Sequence, residues 1–123
     1  MGVAQGMEHV HNSGIVHRDL KTESILVRVI SSAEVIPQIC DFGVARPVPE
    51  DMWQLTAVGA WEFMAPEVTK PNWFELRGLD IEEERRRKRA KMMAANRVDT
   101  WSFGCVLWEM VTSLPPFHGC DKF

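Results

Sequence analysis

The chain has 123 residues, 46% of them hydrophobic and 25% charged, with a formal net charge of −3. That balance is expected of one soluble globular domain with a small core, and its mild acidity creates no field that would gather nucleic acid or an anionic membrane surface. No apolar run reaches membrane-spanning length, and the N-terminus lacks the basic, apolar, small-residue order of a secretory signal. Met1-Gly2 does not continue into an acylation signal, because Gly6 stands where Ser or Thr is required. Three scattered cysteines, Cys40, Cys105 and Cys120, match neither a disulfide framework nor a zinc site. They predict a reducing, cytoplasmic setting.

In chain order, Val3, Met7 and Val10 recur at helical spacing, and Asn12-Ser13-Gly14 ends that helix with turn formers. Ile15-Val16 opens a short extended stretch leading into His17-Arg18-Asp19. Ile25 to Ile30 and Val35 to Cys40 read as two strands joined by a turn at Ser31-Ser32-Ala33-Glu34, which makes a hairpin. Pro37 cannot donate to a ladder, so its strand is expected at an edge or irregular at that point. From Asp41 to Pro66, Gly43, Pro47, Pro49 and Gly59 interrupt any period, and a loop that long in a compact domain is expected to be functional or disordered. Val98 to Thr112 is apolar nearly all round, the pattern of a helix at the centre of a larger body.

Asp80 to Lys91 breaks the composition. Glu82, Glu83 and Glu84 each precede Arg86, Arg87 and Lys88 by four residues, the favourable order for side-chain pairs on a solvated helix. Arg85 to Arg89 could also serve as a nuclear-import or nucleic-acid patch. The neighbouring acids and the absence of interleaved aromatic residues argue against nucleic acid.

Four short motifs then carry the chemistry. His17-Arg18-Asp19-Leu20-Lys21, followed by Thr22-Glu23-Ser24-Ile25-Leu26, resembles the catalytic loop of the eukaryotic protein kinases. Asp41-Phe42-Gly43 resembles that family's metal-binding loop, and Met64-Ala65-Pro66-Glu67 the end of its activation segment. Val98-Asp99-Thr100-Trp101-Ser102-Phe103-Gly104 is similar to the start of its central helix. Asp-Phe-Gly alone would mean little, but four motifs in one order and in matching contexts are a specific signal. The resemblance covers nearly the whole chain. It implies an α+β fold: part of the larger kinase lobe over residues 1–123, mainly helical, with a hairpin carrying the catalytic and metal loops and a charged insertion at 75–95.

The resemblance implies roles as well. Phosphoryl transfer is mostly positioning and charge neutralisation. Asp19 would accept the proton of an attacking hydroxyl, and Lys21 would neutralise charge on the transferring group. Asp41 would hold magnesium against the phosphates of ATP, with Ser24 at the position of a second metal ligand, and Leu26 would lie beneath adenine. Lys21 points to the serine/threonine kinases or the tyrosine-kinase-like branch, and Trp101-Ser102-Phe103-Gly104 with Val106-Leu107-Trp108-Glu109 leans toward that branch. His17 and Phe42 would pack together, Asp99 would hold the catalytic loop, and Arg18 would receive a phosphate on the activation segment. Thr56 is the one hydroxyl side chain between Gly43 and Pro66, hence the local candidate for that phosphate. The implied partners are ATP and a protein substrate, with a regulatory protein on the charged insertion.

Departures from the pattern bear on activity. Ser24 replaces the family's asparagine, whose amide oxygen binds the second magnesium ion and braces the loop; a hydroxyl is a shorter, weaker ligand. Ala60 replaces a threonine whose hydroxyl would bridge Asp19 and Lys21. No glycine-rich phosphate loop and no Val-Ala-Ile-Lys strand occur in the sequence. By the resemblance these belong to a smaller lobe that would precede Met1, and further helices would follow Phe123. The chain is therefore expected to be part of a working serine/threonine kinase, or a pseudokinase or truncated remnant acting as a scaffold, with the flanks of its central helix exposed.

Overall fold

The structure, a computed structural model, describes residues 2–48, 58–69 and 81–120, with side chains at all of these except Glu67, Thr69 and 81–94. The expected ion pairs along the charged stretch and the candidate Thr56 lie outside what is described. The described architecture is α+β, with three helices and two small antiparallel sheets. Helix α1 spans Val3–Asn12. The Gln5 side chain accepts a hydrogen bond from the Gly2 N–H at 2.9 Å, which satisfies one amide at the start of the helix. At its end Gly14 takes φ +71°, a conformation that glycine adopts without a Cβ penalty. Strand β1, Ile15–Val16, follows directly and pairs with β4, Arg46–Pro47. The region after Asp41 is thus not loop throughout. Its first part returns to the stretch that precedes His17, and the Val48 N–H donates to the Gly14 carbonyl at 2.8 Å.

The hairpin forms from β2, Ile25–Ser31, and β3, Glu34–Ile39, with Ile25 opposite Ile39. Both are edge strands of a two-stranded sheet, so Pro37 fits opposite Val27 without removing an inner ladder bond. The irregularity lies instead at Val29/Ser31, beside the turn. Gly6 of α1 lies against β3, where a Cβ would come within 2.9 Å of the Ile39 Cδ1.

After a 3₁₀ turn at Trp61–Phe63 and the short α2, Pro66–Thr69, the chain continues as α3, Ile81–Thr112. The charged stretch and the apolar stretch are one continuous helix. Ala95, Val98, Asp99, Ser102, Cys105 and Val106 are buried at three- and four-residue spacing, the single face that the rest of the described chain covers. Phe63, Cys105 and Val106 form the central cluster, flanked by Ile25 and Ala60. Trp101, Leu107, Trp108, Met110 and Val111 are exposed, so burial all round does not hold in this chain, and the expected exposure of the flanks does. Val106 is fully buried at the centre of the cluster, so Val106→Ala should lower the urea midpoint of unfolding, with a loss of about 2 kcal/mol.

Candidate active site

The site is built on residues 17–24, which the structure ties to α3 at several points. Asp99 is buried on α3, and its carboxylate accepts N–H bonds from His17 and Arg18, each at 2.8 Å. The His11 ring of α1 adds a third bond at 2.8 Å, and because a carboxylate only accepts, His11 donates through Nε2. Arg18 itself sits at φ +72°, a strained position for a residue with a Cβ, costing on the order of 1–3 kcal/mol. The Asp99 bond to its amide holds it there. Farther along, the Thr22 hydroxyl donates to Glu109 of α3 at 2.6 Å, and the Ser102 hydroxyl reaches the Phe63 carbonyl at 2.7 Å. Residues 17–22 and the turn at Trp61–Phe63 are thereby fastened to one helix.

Asp19 and Lys21 lie together inside this frame. The Lys21 ammonium donates to Asp19 Oδ2 at 3.2 Å, and the Ala60 N–H donates to Oδ1 at 2.9 Å. The threonine hydroxyl expected between Asp19 and Lys21 is thus absent, yet the two meet directly, and the backbone of Ala60 supplies a further donor. Gly59 permits this approach. It has φ +113°, and a Cβ there would meet Asp19 Oδ1 at 2.7 Å and the Arg18 carbonyl at 2.9 Å. A shallow recess beside Asp19 is lined by Arg18, Ala60, Met64, Val98 and Ser102, and Asp41 does not line it.

Asp41 is brought to the loop by the base of the hairpin. Ile25 pairs with Ile39, and the Cys40 N–H donates to the Ser24 carbonyl at 2.9 Å. His17 completes the join: one ring nitrogen lies 3.0 Å from the Cys40 carbonyl and the other 3.4 Å from the Asp19 N–H. Since the carbonyl only accepts and the amide only donates, the ring carries its proton on Nε2. The same ring meets Phe42 edge to face, with centroids 4.8 Å apart. Asp41 is exposed and adopts φ +63°. Its charge reaches Lys21, whose ammonium is held above the ordinary lysine value first by the Asp19 hydrogen bond, then by the charges of Asp19, Glu23 and Asp41.

The other expected site residues lie differently. Ser24 is fully buried, its hydroxyl turned into the loop. Leu26 is exposed on β2, opposite Gln38. Arg18 has a neighbour that the sequence pattern did not single out, Arg46 of β4. Burial and then the Arg46 charge lower the Arg18 pKa, while Asp99 raises it. His11, Thr22 and Glu109 were likewise not singled out, because their partners lie 87 or 88 residues away and no local spacing marks them.

A carboxylate paired with an ammonium on one loop, with a second carboxylate at the end of a hairpin that returns to that loop, is an arrangement compatible with phosphoryl transfer. The comparisons agree with that class. The family model described as the protein kinase domain matches residues 1–122, and the chain belongs to that family. It is 31% identical over 122 residues to mitogen-activated protein kinase kinase kinase 12 of Rattus norvegicus, covering 99% of this chain and 11% of the relative. Mitogen-activated protein kinase kinase kinase 13 of Homo sapiens is 32% identical over 98% of this chain and 10% of its own length. The serine/threonine/tyrosine-protein kinase HT1 of Arabidopsis thaliana is 32% identical over 97% of this chain and 24% of its own length. The chain therefore spans a tenth to a quarter of these relatives, and a tyrosine-kinase-like relationship fits them.

Two outcomes follow. Asp99→Asn places an amide N–H₂ among N–H donors, so exchange of the His17 and Arg18 amides should quicken and stability should fall by about 1–3 kcal/mol per unsatisfied donor. The Lys21–Asp19 pair raises the lysine pKa, so its contribution is fully present below the unfolded lysine value and is lost as pH rises through the folded one. Nitrogen NMR of the Lys21 ammonium should show its titration moving down in Asp19→Asn, and no movement would refute the pairing.

Proposed function

We propose that the chain is the larger-lobe core of an ATP-dependent protein serine/threonine kinase, from catalytic loop to central helix. The observation that carries this reading is the Asp19–Lys21 contact at 3.2 Å on a loop whose backbone Asp99 holds. In it Asp19 accepts the proton of a substrate serine or threonine hydroxyl, and Lys21 steadies the negative charge that develops beside it. Asp41, an exposed carboxylate within electrostatic reach of Lys21, fits a hard divalent cation. Magnesium-bound ATP would supply the transferable phosphoryl group and the neutralising metal charge. Leu26, exposed on the hairpin, offers apolar surface for the adenine ring.

Arg18 and Arg46 form a cationic pair suited to a phosphate on the activation segment, with Thr56 as the residue that would carry that phosphate. The charged insertion extends α3 beyond the catalytic core and is a docking element for a regulatory protein. The described cysteines are free, which fits a cytoplasmic protein.

One observation favours a second reading, a regulatory or scaffolding role without transfer. Both carboxylate oxygens of Asp19 already accept internal bonds, one of them from the Ala60 backbone. Transfer from γ-labelled ATP to a serine- and threonine-rich protein separates the two. The kinase reading expects labelling that falls about 10²–10⁴-fold in Asp19→Asn, whose amide cannot accept the proton. Nucleotide retention without any labelling would leave the scaffold reading in place and remove the catalytic one.

A further inference from the structure

The hydroxyl of Ser24 is engaged by groups of its own loop. It accepts the Lys21 N–H at 2.8 Å and lies 2.9 Å from the Asp19 carbonyl and 3.0 Å from the Lys21 carbonyl. A serine hydroxyl has one proton to donate and two lone pairs. The amide uses one pair, the proton is shared between the two carbonyls, and the residue is fully buried. A cation at Oγ would need an open approach to about 2.0–2.1 Å for magnesium. Full burial leaves Oγ no approach open to solvent. Among the remaining groups, Asp19 has an internal donor on each oxygen. Among the described residues, no group of three or more His, Cys, Asp or Glu side chains could hold a metal ion.

We infer that Ser24 closes the catalytic loop on itself, and that the site takes a single divalent cation, through Asp41, with its nucleotide. This rests on the reading of Asp41 as the residue that receives metal-bound nucleotide. The serine keeps the bracing half of a loop asparagine's work and gives up the ligating half. The geometry of residues 19–24 is then set by protein groups alone and does not wait for a metal.

The test counts cations on the full chain. With the non-hydrolysable imido analogue of ATP held in slight excess, Mn²⁺ is titrated and its free concentration read by electron paramagnetic resonance, while equilibrium dialysis reports nucleotide retained by protein. One Mn²⁺ per protein–nucleotide complex is expected. Two would overturn the inference and leave the nucleotide site intact. Failure to retain nucleotide at all would overturn the nucleotide reading and the inference with it. Ser24→Ala, which adds no bulk, should keep the count at one while exchange of the Lys21 amide quickens about tenfold. A fall of the count to zero in Ser24→Ala would show the serine to be a ligand and overturn the inference. Ser24→Asn, where it folds, should raise the count to two, and the wild-type count decides the matter where it does not.

Discussion

The buried carboxylate of Asp99 is the constraint on which the rest depends. A carboxylate taken out of water is costly unless hydrogen bonds replace those it loses, and here three N–H groups do so, from His11, His17 and Arg18. Two of those donors belong to the loop that carries Asp19 and Lys21, and the third ties α1 to the same point. The exchange works in both directions. The loop gains a fixed backbone, including the left-handed Arg18, and the carboxylate gains the partners that make its burial tolerable. Because the contacts join residues more than 80 positions apart, the His17 and Arg18 amides gain this partner only when α3 is docked.

From that anchored loop the second carboxylate is placed by short-range means. A hairpin with Ile25 opposite Ile39 returns the chain to its starting point, and the Cys40–Ser24 backbone bond closes the base. His17 then spans the gap with both ring nitrogens, so a change in either loop is felt in the other. Phe42 packs on the same ring, which makes the aromatic contact part of the alignment. The recess beside Asp19 is not lined by Asp41, and the two carboxylates are related through the loop and the hairpin base that join them.

How much of this was legible in the sequence differed by the range of the interaction. The end of α1 at Asn12-Ser13-Gly14 and the hairpin turn are written in local turn chemistry, and both are where the pattern places them. Asp99 and the catalytic loop were legible through family resemblance, since nothing local links residue 99 to residue 17. The β1–β4 pair was not legible, because two-residue strands carry no period and their pairing is a consequence of tertiary placement. Composition divided α3 into a charged element and an apolar one, yet a helix backbone tolerates that change of side chains without a break. Apolarity all round predicts that a helix can be buried on every side, and burial itself depends on which neighbours are present.

Ser24 and Ala60 show a finer limit. Read as types, both are losses: a weaker ligand and a missing hydroxyl. Read in place, each retains a structural contact by another route. Ser24 reaches the loop carbonyls because they are close, so a short side chain suffices where the target is its own turn. Ala60 serves through its N–H, a donor that every residue except proline possesses. Bracing therefore needs a hydroxyl at position 24 but only a backbone N–H at position 60, and neither demands the longer side chain that the family places there. A loop can keep its shape when side chains along it change, because its shape rests on backbone groups, on the Ser24 hydroxyl and on Asp99.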